Sequence, residues 1–331
     1  MNKKIVHLVT KFIDCFFLLR ITLLAPVWTI LLVGWITGNK DARPFACFSA
    51  ASMVVNSLYL WTALAGFSLI VASIYVVNQI VDIESDRINH KLFLLPHGYL
   101  SIRTAWILAA FCMAGGMAGA FLFDRTMALL YLTGLLLGAL YNLPPFRLKN
   151  RAWGGVMVNI LGHGILTFLV GWYSAHFPGQ YGFEVIKNGL VSSISPGMAN
   201  AAVFLATTIP DATGDRITNK QTFCVKYGEK RTARVATLFC LFSFIFSFLM
   251  AYNFWVMAIP ALISVVLFIT FAAATNKKTA FHAFKWPVFL LTVFVVLFIP
   301  HYGVLIVLTF LGSRFYYKWR FGIMYPTFQT K

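Results

Sequence analysis

The chain has 331 residues and is strongly apolar, because 60% of the residues are hydrophobic and only 11% are Asp, Glu, Lys or Arg. A soluble protein of this length needs more charge to cover its surface, so the composition excludes that class and indicates an integral membrane protein. The net charge of +17 lies mainly between apolar runs. We therefore expect contact with anionic lipid headgroups and no nucleic-acid binding; the composition gives no information on protein partners.

Nine apolar runs are long enough to cross a bilayer, whose core of about 30 Å requires roughly 20 helical residues. In chain order they cover residues 20–37, 56–81, 104–123, 127–143, 154–173, 190–209, 233–252, 254–275 and 287–311. The sequence therefore predicts an all-α fold, with about nine transmembrane helices in one bundle and a single domain over residues 1–331.

The charges of the loops and termini predict the orientation. Residues 1–19 are expected to be a cytoplasmic or interfacial segment, since no cleavage pattern of a signal peptide follows them. With a cytoplasmic N-terminus, most Lys and Arg residues outside the spans lie inside, as the positive-inside rule requires. An odd number of spans places a basic tail, residues 313–331, outside. Either this tail is an exception, or the last apolar stretch, which contains Pro300 and His301, crosses differently.

A charged pattern occurs twice in this weakly charged chain. DIESDRINHK covers residues 82–91 and DATGDRITNK covers residues 211–220, each directly after an apolar run. The number of predicted spans between the two copies is even, so both lie on the same, cytoplasmic side of the membrane. In the first copy, i to i+4 steps place Asn78, Asp82 and Asp86 on one helix face.

The second copy repeats this step with Asp211 and Asp215, so four carboxylates are expected to converge at one membrane face. Such acids repel one another unless cations are present. Mg²⁺ binds one or two carboxylates and completes its shell with water and phosphate oxygens, so the pattern predicts a Mg²⁺-bound diphosphate.

Four basic side chains accompany the acids and are candidates to bind the remaining phosphate oxygens or the acids themselves. They are Arg87, Lys91, Arg216 and Lys220. Solvent-exposed loops account for any one of these charges, but not for the repeated pattern.

The two segments resemble the acidic motifs of the UbiA-type intramembrane prenyltransferases. NQIVDIESDRINHKLFLLPHGYLS, residues 78–101, is similar to the first motif, and IPDATGDRITNKQTFCVKYG, residues 209–228, is similar to the second. The resemblance implies a helical bundle that encloses a central cavity open to the bilayer. It also implies transfer of a prenyl group from an isoprenyl diphosphate, ionised with Mg²⁺, to a hydrophobic and usually aromatic acceptor.

The resemblance further implies roles for individual residues. The Mg²⁺ ligands, directly or through water, would be Asp82, Asp86, Asp211 and Asp215. Asn78 would support the first pair of acids. Arg87, Arg216 and Lys220 would contact the diphosphate.

A third segment, YNLPPFRLKNRAWGG, covers residues 141–155 between the fourth and fifth spans. It resembles a loop of the chlorophyll-synthase and homogentisate-prenyltransferase branch, which implies an aromatic or tetrapyrrole-like acceptor. Its two prolines stop the helix and hold Arg147 and Lys149 in a loop, where they suit diphosphate. The positive-inside rule also explains cations there. Tyr141 is a candidate to stabilise a developing allylic cation.

His163 and Asn159 lie inside the fifth predicted span. Ionisable groups in a membrane usually face a cavity or a partner, so His163 is either a hydrogen-bonded packing residue, which is the favoured interpretation, or a group that binds the acceptor. Asn159 is expected to hydrogen-bond to a neighbouring helix or to line the acceptor cavity.

The chain also departs from the family pattern. Phe93 and Leu94 stand where the first motif usually has Arg-Pro, and Thr207, Thr208 and Thr213 replace three charged residues of the second. The threonines indicate an unusual substrate, a weaker metal site or lost turnover. Alternatives are a lipid-alcohol acceptor, a non-catalytic prenyl-lipid binder and a transporter. A transporter site is expected near the midplane, whereas these acids cluster at one face.

Overall fold

The computed structural model describes residues 3–45, 52–88, 94–179 and 182–326, and every regular element in these ranges is helical. The helices are α1 (Lys3–Leu18), α2 (Ile21–Gly38), α3 (Ser52–Val81), α4 (Ile83–Ile88), α5 (Ile102–Ala120), α6 (Arg125–Asn142), α7 (Ala152–Val158), α8 (Thr167–His176), α9 (Phe183–Ser192), α10 (Ile194–Ile217), α11 (Phe223–Tyr227), α12 (Glu229–Ser247), α13 (Trp255–Ala273), α14 (Lys277–Phe298) and α15 (Pro300–Phe321). A 3-10 turn (Leu148–Asn150) precedes α7, and a π-helix (Asn159–Leu166) joins α7 to α8. The predicted all-α class is confirmed.

Seven helical segments in the described part of the chain are long and apolar enough to cross a membrane, so this is a multi-pass membrane protein. They are Ile21–Gly38, Leu58–Val81, Ile102–Ala120, Ala152–His176, Phe183–Ile217, Trp255–Ala273 and Lys277–Phe298. The predicted spans at 127–143 and 233–252 are also helices, α6 and α12, but charged residues such as Arg125 and Arg234 lie in their end turns. The exact count of nine is therefore not reproduced by length and apolar character alone.

The bundle has two distinct ends. At one end, which we call the acidic end, Arg20 before α2 pairs with Asp86 in α4 at 3.2 Å. At the opposite end, Phe123 after α5 packs against Phe177 after α8, with ring centroids 5.1 Å apart. Both predicted acidic motifs lie at the acidic end, because Lys220 after α10 reaches the first motif.

The predicted ninth span, residues 287–311, is two helices in the structure. α14 ends at Phe298, Ile299 leaves the helical conformation with φ −132° and ψ 78°, and α15 starts at Pro300. Proline has no amide hydrogen and fits the first turn of a helix, where that hydrogen has no partner. The chain therefore turns inside an apolar run that a hydropathy pattern treats as continuous.

The C-terminal helix returns to the acidic end. Arg320 in its last turn donates to Asp14 of α1 at 3.2 Å, and Tyr325 lies 3.5 Å from Thr22 at the start of α2. Residues 313–321, predicted as part of a basic tail on the other side, are thus the end of a packed helix at the acidic end. The turn before Pro300 thus brings the cations of α15 to the same end of the bundle as α1.

The amphipathic helix α1 lies at the same end. Its Asp14 side chain is buried, with 1% of its area exposed, and accepts from the Tyr316 hydroxyl at 2.7 Å. Leu8 and Phe12 on its outer side are exposed, Phe12 to 76%. An apolar outer face at the end of a membrane bundle is typical of an interfacial helix. The interfacial or cytoplasmic position of residues 1–19 stays a prediction.

Helices α2 and α8 pack backbone against backbone. A Cβ atom at Gly34 would collide with the Phe168 carbonyl oxygen, and one at Gly171 with the Leu31 carbonyl oxygen. Small residues permit this close crossing between membrane helices. The crossing fixes α2, and with it Arg20, relative to the π-helix that precedes α8.

Candidate active site at the acidic end

The first acidic motif keeps its helical spacing across a short break. Asp82 is in the turn between α3 and α4, yet its N–H donates to the Asn78 carbonyl at 3.0 Å, and the Asp86 N–H donates to the Asp82 carbonyl at 2.8 Å. The Asn78 side-chain amide also donates to Asp82 Oδ2 at 3.1 Å. Asn78 therefore supports Asp82 directly.

Two lysines from distant segments hold the Asp82 carboxylate. Lys149 Nζ, in the 3-10 turn after α6, lies 2.8 Å from Oδ2, and Lys220 Nζ, just after α10, lies 3.0 Å from Oδ1. Only 13% of the Asp82 side chain and 7% of the Lys149 side chain are exposed. Burial alone raises the pKa of Asp82, but the charges and hydrogen bonds of Lys149 and Lys220 outweigh it and hold that pKa below its ordinary value.

A buried asparagine links these groups. Asn142 Oδ1 accepts from Asn78 Nδ2 at 2.7 Å and from Lys149 Nζ at 3.2 Å. Lys220 Nζ also donates to Ser85 Oγ at 2.8 Å. We call this connected set the Asp82 cluster: Asn78, Asp82, Ser85, Asn142, Lys149 and Lys220.

The other acid of the first motif has a different partner. Asp86 Oδ2 lies 3.2 Å from the guanidinium of Arg20, and the two side chains are 10% and 12% exposed. Arg20 lies between α1 and α2 in the left-handed conformation, with φ 55°. Sequence reasoning did not assign a role to Arg20, because only the fold brings it to Asp86.

The second acidic motif is built on a continuous helix. Asp211 and Asp215 lie one turn apart in α10, with Asp215 buried and Asp211 partly buried. The backbone N–H of Lys220 donates to the Asp215 carbonyl at 2.8 Å, and Gln221 N–H donates to the Asn150 carbonyl at 3.2 Å. These bonds bring the second motif and the loop of Lys149 together beside the first motif.

Other predicted diphosphate ligands lie further out. Arg87 pairs with exposed Glu84 at 3.0 Å and donates to the Pro96 carbonyl at 3.2 Å. Arg147, with φ 38°, and Arg216 are exposed. Lys91 lies outside the described residues, so these four remain predictions.

Two cavities lie inside the bundle, and Asn78 and Asn142 of the Asp82 cluster line the smaller one. The smaller, about 170 Å³, is lined by Arg20, Asn78, Tyr141 and Asn142, among others. The larger, about 340 Å³, is mainly apolar and lies between α2, α10, α12, α13 and α14. Three residues line both cavities, namely Tyr75, Asn159 and His163. The cluster thus borders the smaller cavity, which shares these three lining residues with the larger, mainly apolar cavity.

Tyr141 lies between the acids and the smaller cavity. Its hydroxyl lies near the Asn159 side chain and close enough to Asp82, Asp211 and Asp215 to feel their charges. Tyr141, which also lines the smaller cavity, is therefore a neighbour of acids from both motifs. The convergence of all four carboxylates on one ligand stays a prediction.

The substituted threonines of the second motif need no counter-ion. Thr207 donates to the Phe204 carbonyl and Thr208 to the Leu205 carbonyl, both at 2.7 Å. Thr207 also lines the larger cavity, whereas Thr213 is exposed. A charge at 207 would lie against apolar surface, so threonine makes this wall neutral.

The acids fit Mg²⁺ that is completed by a ligand rather than a preformed metal centre. Among the described residues, no three His, Cys, Asp or Glu side chains are grouped to hold a metal ion. Mg²⁺ typically uses one or two carboxylates and takes its other ligands from water and phosphate. The paired aspartates supply that number, and Lys149 and Lys220 neutralise Asp82.

Similar proteins of known sequence are prenyltransferases by name. The chain is 28% identical over 269 residues to 2-acyl-4-prenylphloroglucinol 6-prenyltransferase of Humulus lupulus, which covers 72% of this chain and 63% of that protein. It is 26% identical to homogentisate solanesyltransferase of Arabidopsis thaliana, over 57% of this chain and 50% of that protein. The chain thus spans about half to two-thirds of the length of these relatives.

Solved structures share the fold. A UbiA homolog from Archaeoglobus fulgidus bound to DMAPP and Mg²⁺ has a TM-score of 0.63 at 16% identity, covering 89% of this chain and 99% of that one. A UbiA homolog from Aeropyrum pernix K1 has a TM-score of 0.64 at 15% identity, covering 85% and 96%. Residues 42–293 match the UbiA prenyltransferase family. This chain belongs to the UbiA prenyltransferase family.

Proposed function

We propose that this protein transfers a prenyl group from an isoprenyl diphosphate to an aromatic acceptor inside the membrane. The observation that carries the proposal is the Asp82 cluster, in which largely buried carboxylate and lysine groups border the smaller of two neighbouring cavities. The names of the relatives, which act on phloroglucinols and homogentisate, support an aromatic acceptor. The Archaeoglobus fulgidus structure with DMAPP and Mg²⁺ supports the donor.

The charged end would bind the diphosphate. Lys149 and Lys220 each have an ammonium group at Asp82, and the same donors suit phosphate oxygens. Mg²⁺ would be held by Asp82, Asp86, Asp211 and Asp215 and, when bound, supplies positive charge that stabilises the departing diphosphate.

The smaller cavity, beside the acids, would hold the allylic end of the prenyl chain and protect the allylic cation. Tyr141 faces the smaller cavity below the acids, where its ring stabilises positive charge. The cavity walls exclude bulk water, which otherwise hydrolyses such a cation.

The orientation follows from the same charges. We place the acidic end and the N-terminus on the cytoplasmic side, because Lys149, Lys220 and Arg320 all lie there. The bilayer would surround the apolar outer faces of the helices.

Acceptor-dependent release of diphosphate tests the proposal. The full-length protein in detergent micelles is given geranylgeranyl diphosphate, Mg²⁺ and a panel of hydroquinones, phloroglucinols and glycerol-type alcohols. We expect release with an aromatic acceptor, and loss of release in Asp82→Asn and Asp211→Asn. Glu184→Gln is the matched control, because Glu184 is an exposed acid paired with Lys187 away from the site.

If diphosphate is released only with a glycerol-type alcohol, the acceptor is a lipid alcohol and not an aromatic compound. Diphosphate binding without release under any acceptor would contradict transfer and favour a prenyl-lipid binder.

A further inference from the structure

The π-helix Asn159–Leu166 forms the wall between the two cavities. Its widened hydrogen-bond pattern is accommodated in part by Thr167, whose hydroxyl donates to the Gly162 carbonyl at 2.9 Å. π-Helical turns are rare and occur frequently at functional sites. Here the turn presents Asn159 and His163 to both cavities.

A close helix crossing fixes this wall. A Cβ atom at Gly164 would collide with the Cα atom of Gly197 in α10, so the two backbones touch. Asn200, which follows Gly197 by about one helical turn, lines the larger cavity together with His163. Two different helices therefore bring polar side chains to one mainly apolar space.

Most polar groups around the larger cavity are already bonded to protein. The Tyr75 hydroxyl donates to the Leu23 carbonyl at 3.2 Å, Asn159 Nδ2 to the Gly155 carbonyl at 2.8 Å, and Ser264 to the Pro260 carbonyl at 2.7 Å. These groups are satisfied within the helices and need no ligand.

His163 and Asn200 differ from this pattern. Across the ranges that the structure describes, neither side chain has a hydrogen-bond partner, and His163 has only a ring contact with Tyr75, with centroids 5.9 Å apart. This corrects the favoured interpretation of His163 as a hydrogen-bonded packing residue. An unpaired polar group in an apolar membrane cavity costs free energy, so a polar partner from a ligand would offset that cost.

We propose that His163 and Asn200 form the subsite that binds the polar substituent of a phenolic acceptor. A ring nitrogen of His163 accepts a hydrogen bond from an acceptor hydroxyl, and the Asn200 amide donates to an acceptor oxygen. The surrounding cavity of about 340 Å³ is of a size that suits a small aromatic ring. This inference rests on the proposed function and adds to it the groups that select and orient the acceptor.

The location fits an acceptor rather than a donor subsite. His163 lines both cavities, and the smaller one begins at the Asp82 cluster, where the diphosphate would depart. An acceptor anchored at His163 would therefore present its ring toward the freed allylic carbon. The methylated form of the same phenol would lose the hydrogen bond to His163.

Equilibrium binding of two probes tests the subsite on the full-length protein in micelles, without diphosphate or Mg²⁺. The probes are hydroquinone and 1,4-dimethoxybenzene, which lacks hydroxyl donors, and protein-free micelles correct for partitioning. We expect the wild type to prefer hydroquinone. His163→Phe, which keeps a ring beside Tyr75, should bind hydroquinone about tenfold more weakly and lose the preference. His301→Phe, at an exposed histidine, should match the wild type.

Asn200→Leu tests the subsite from the second helix and should also weaken hydroquinone binding. It keeps the test decisive if His163→Phe does not fold. Wild-type hydroquinone affinity in either folded variant would overturn the inference. Geranylgeranyl diphosphate binding with Mg²⁺ is measured in parallel and should be unchanged in both variants. If the wild type does not bind the diphosphate, the proposed function is wrong. If only the hydroquinone affinity of the variants is unchanged, the subsite alone is wrong.

Discussion

The two acidic motifs share a sequence pattern but differ in local structure. In the first, the helix breaks at Asp82, and this carboxylate is held by Lys149 and Lys220 from elsewhere in the chain. In the second, Asp211 and Asp215 lie on the continuous helix α10. The second motif also contributes the cation, Lys220, that crosses to the first. The two motifs are therefore parts of one unit rather than two equivalent sites.

This difference makes Asp82 the structural centre of the acidic end. Its carboxylate accepts from three side chains, Asn78, Lys149 and Lys220. Asp86 is paired instead with Arg20. A ligand diphosphate would compete with Asp82 for the two lysines, so the lysines are expected to act in both the empty and the occupied site.

The largest effect is expected for Asp82→Asn. The substitution leaves two partly buried lysines without their carboxylate, so we expect the free energy of unfolding to fall by about 3 kcal/mol and diphosphate release to fall at least about 100-fold. Chemical denaturation in micelles and a phosphate-release assay measure both. Asp211→Asn should reduce release without the same loss of stability, and equal destabilisation by both would contradict the difference between the motifs.

The second-largest effect is expected at the two lysines that hold Asp82. Lys149→Met and Lys220→Met each remove one cation from Asp82, so we expect the Kd for geranylgeranyl diphosphate to rise by about tenfold or more. Lys187→Met, at an exposed pair with Glu184, is the matched control. Unchanged diphosphate affinity in both variants would show that the lysines serve only the fold.

A smaller effect is expected at Arg20. Arg20→Lys keeps the charge but loses the guanidinium geometry at Asp86, so diphosphate release should fall by about threefold to tenfold. Arg87→Lys, at an exposed pair with Glu84, should have less effect. A larger effect at Arg87 than at Arg20 would show that the first motif uses its own following cation instead.

The smallest effect concerns pH. Because Lys149 and Lys220 hold the pKa of folded Asp82 below its ordinary value, this carboxylate contributes stability above its unfolded pKa of about 3.9. That contribution is lost as the pH falls through the lower folded pKa. Melting temperatures measured from neutral to acid pH should therefore fall less steeply below the unfolded pKa for Asp82→Asn than for the wild type. Parallel curves would contradict the predicted linkage.

Local patterns predicted much of the fold and site. Apolar length placed helices at the first eight predicted runs, six of which are long and apolar enough to cross a membrane, and i to i+4 spacing placed Asn78, Asp82 and Asp86 together. The last span was wrong, because the turn at Ile299 lies within an apolar run and only Pro300 marks it. Hydropathy records the length of such a run but not its direction.

Pairs of residues far apart in the chain could not be predicted from the sequence. Arg20 meets Asp86 across 66 positions and Lys149 meets Asp82 across 67, so no local spacing reveals these pairs. Asn142 was missed because an asparagine at a helix end usually signals a cap or turn rather than a buried hub. The signal available for Asn142 was its position beside a charged loop that lies opposite the first motif.

The most direct measurement is Mg²⁺-dependent binding of geranylgeranyl diphosphate to the wild type, Asp82→Asn, Asp211→Asn and the control Glu184→Gln. The account predicts binding that requires Mg²⁺ in the wild type and control and is lost in both motif variants, since the two motifs form one site. Wild-type binding that is indifferent to Mg²⁺, or that survives Asp211→Asn unchanged, would contradict it.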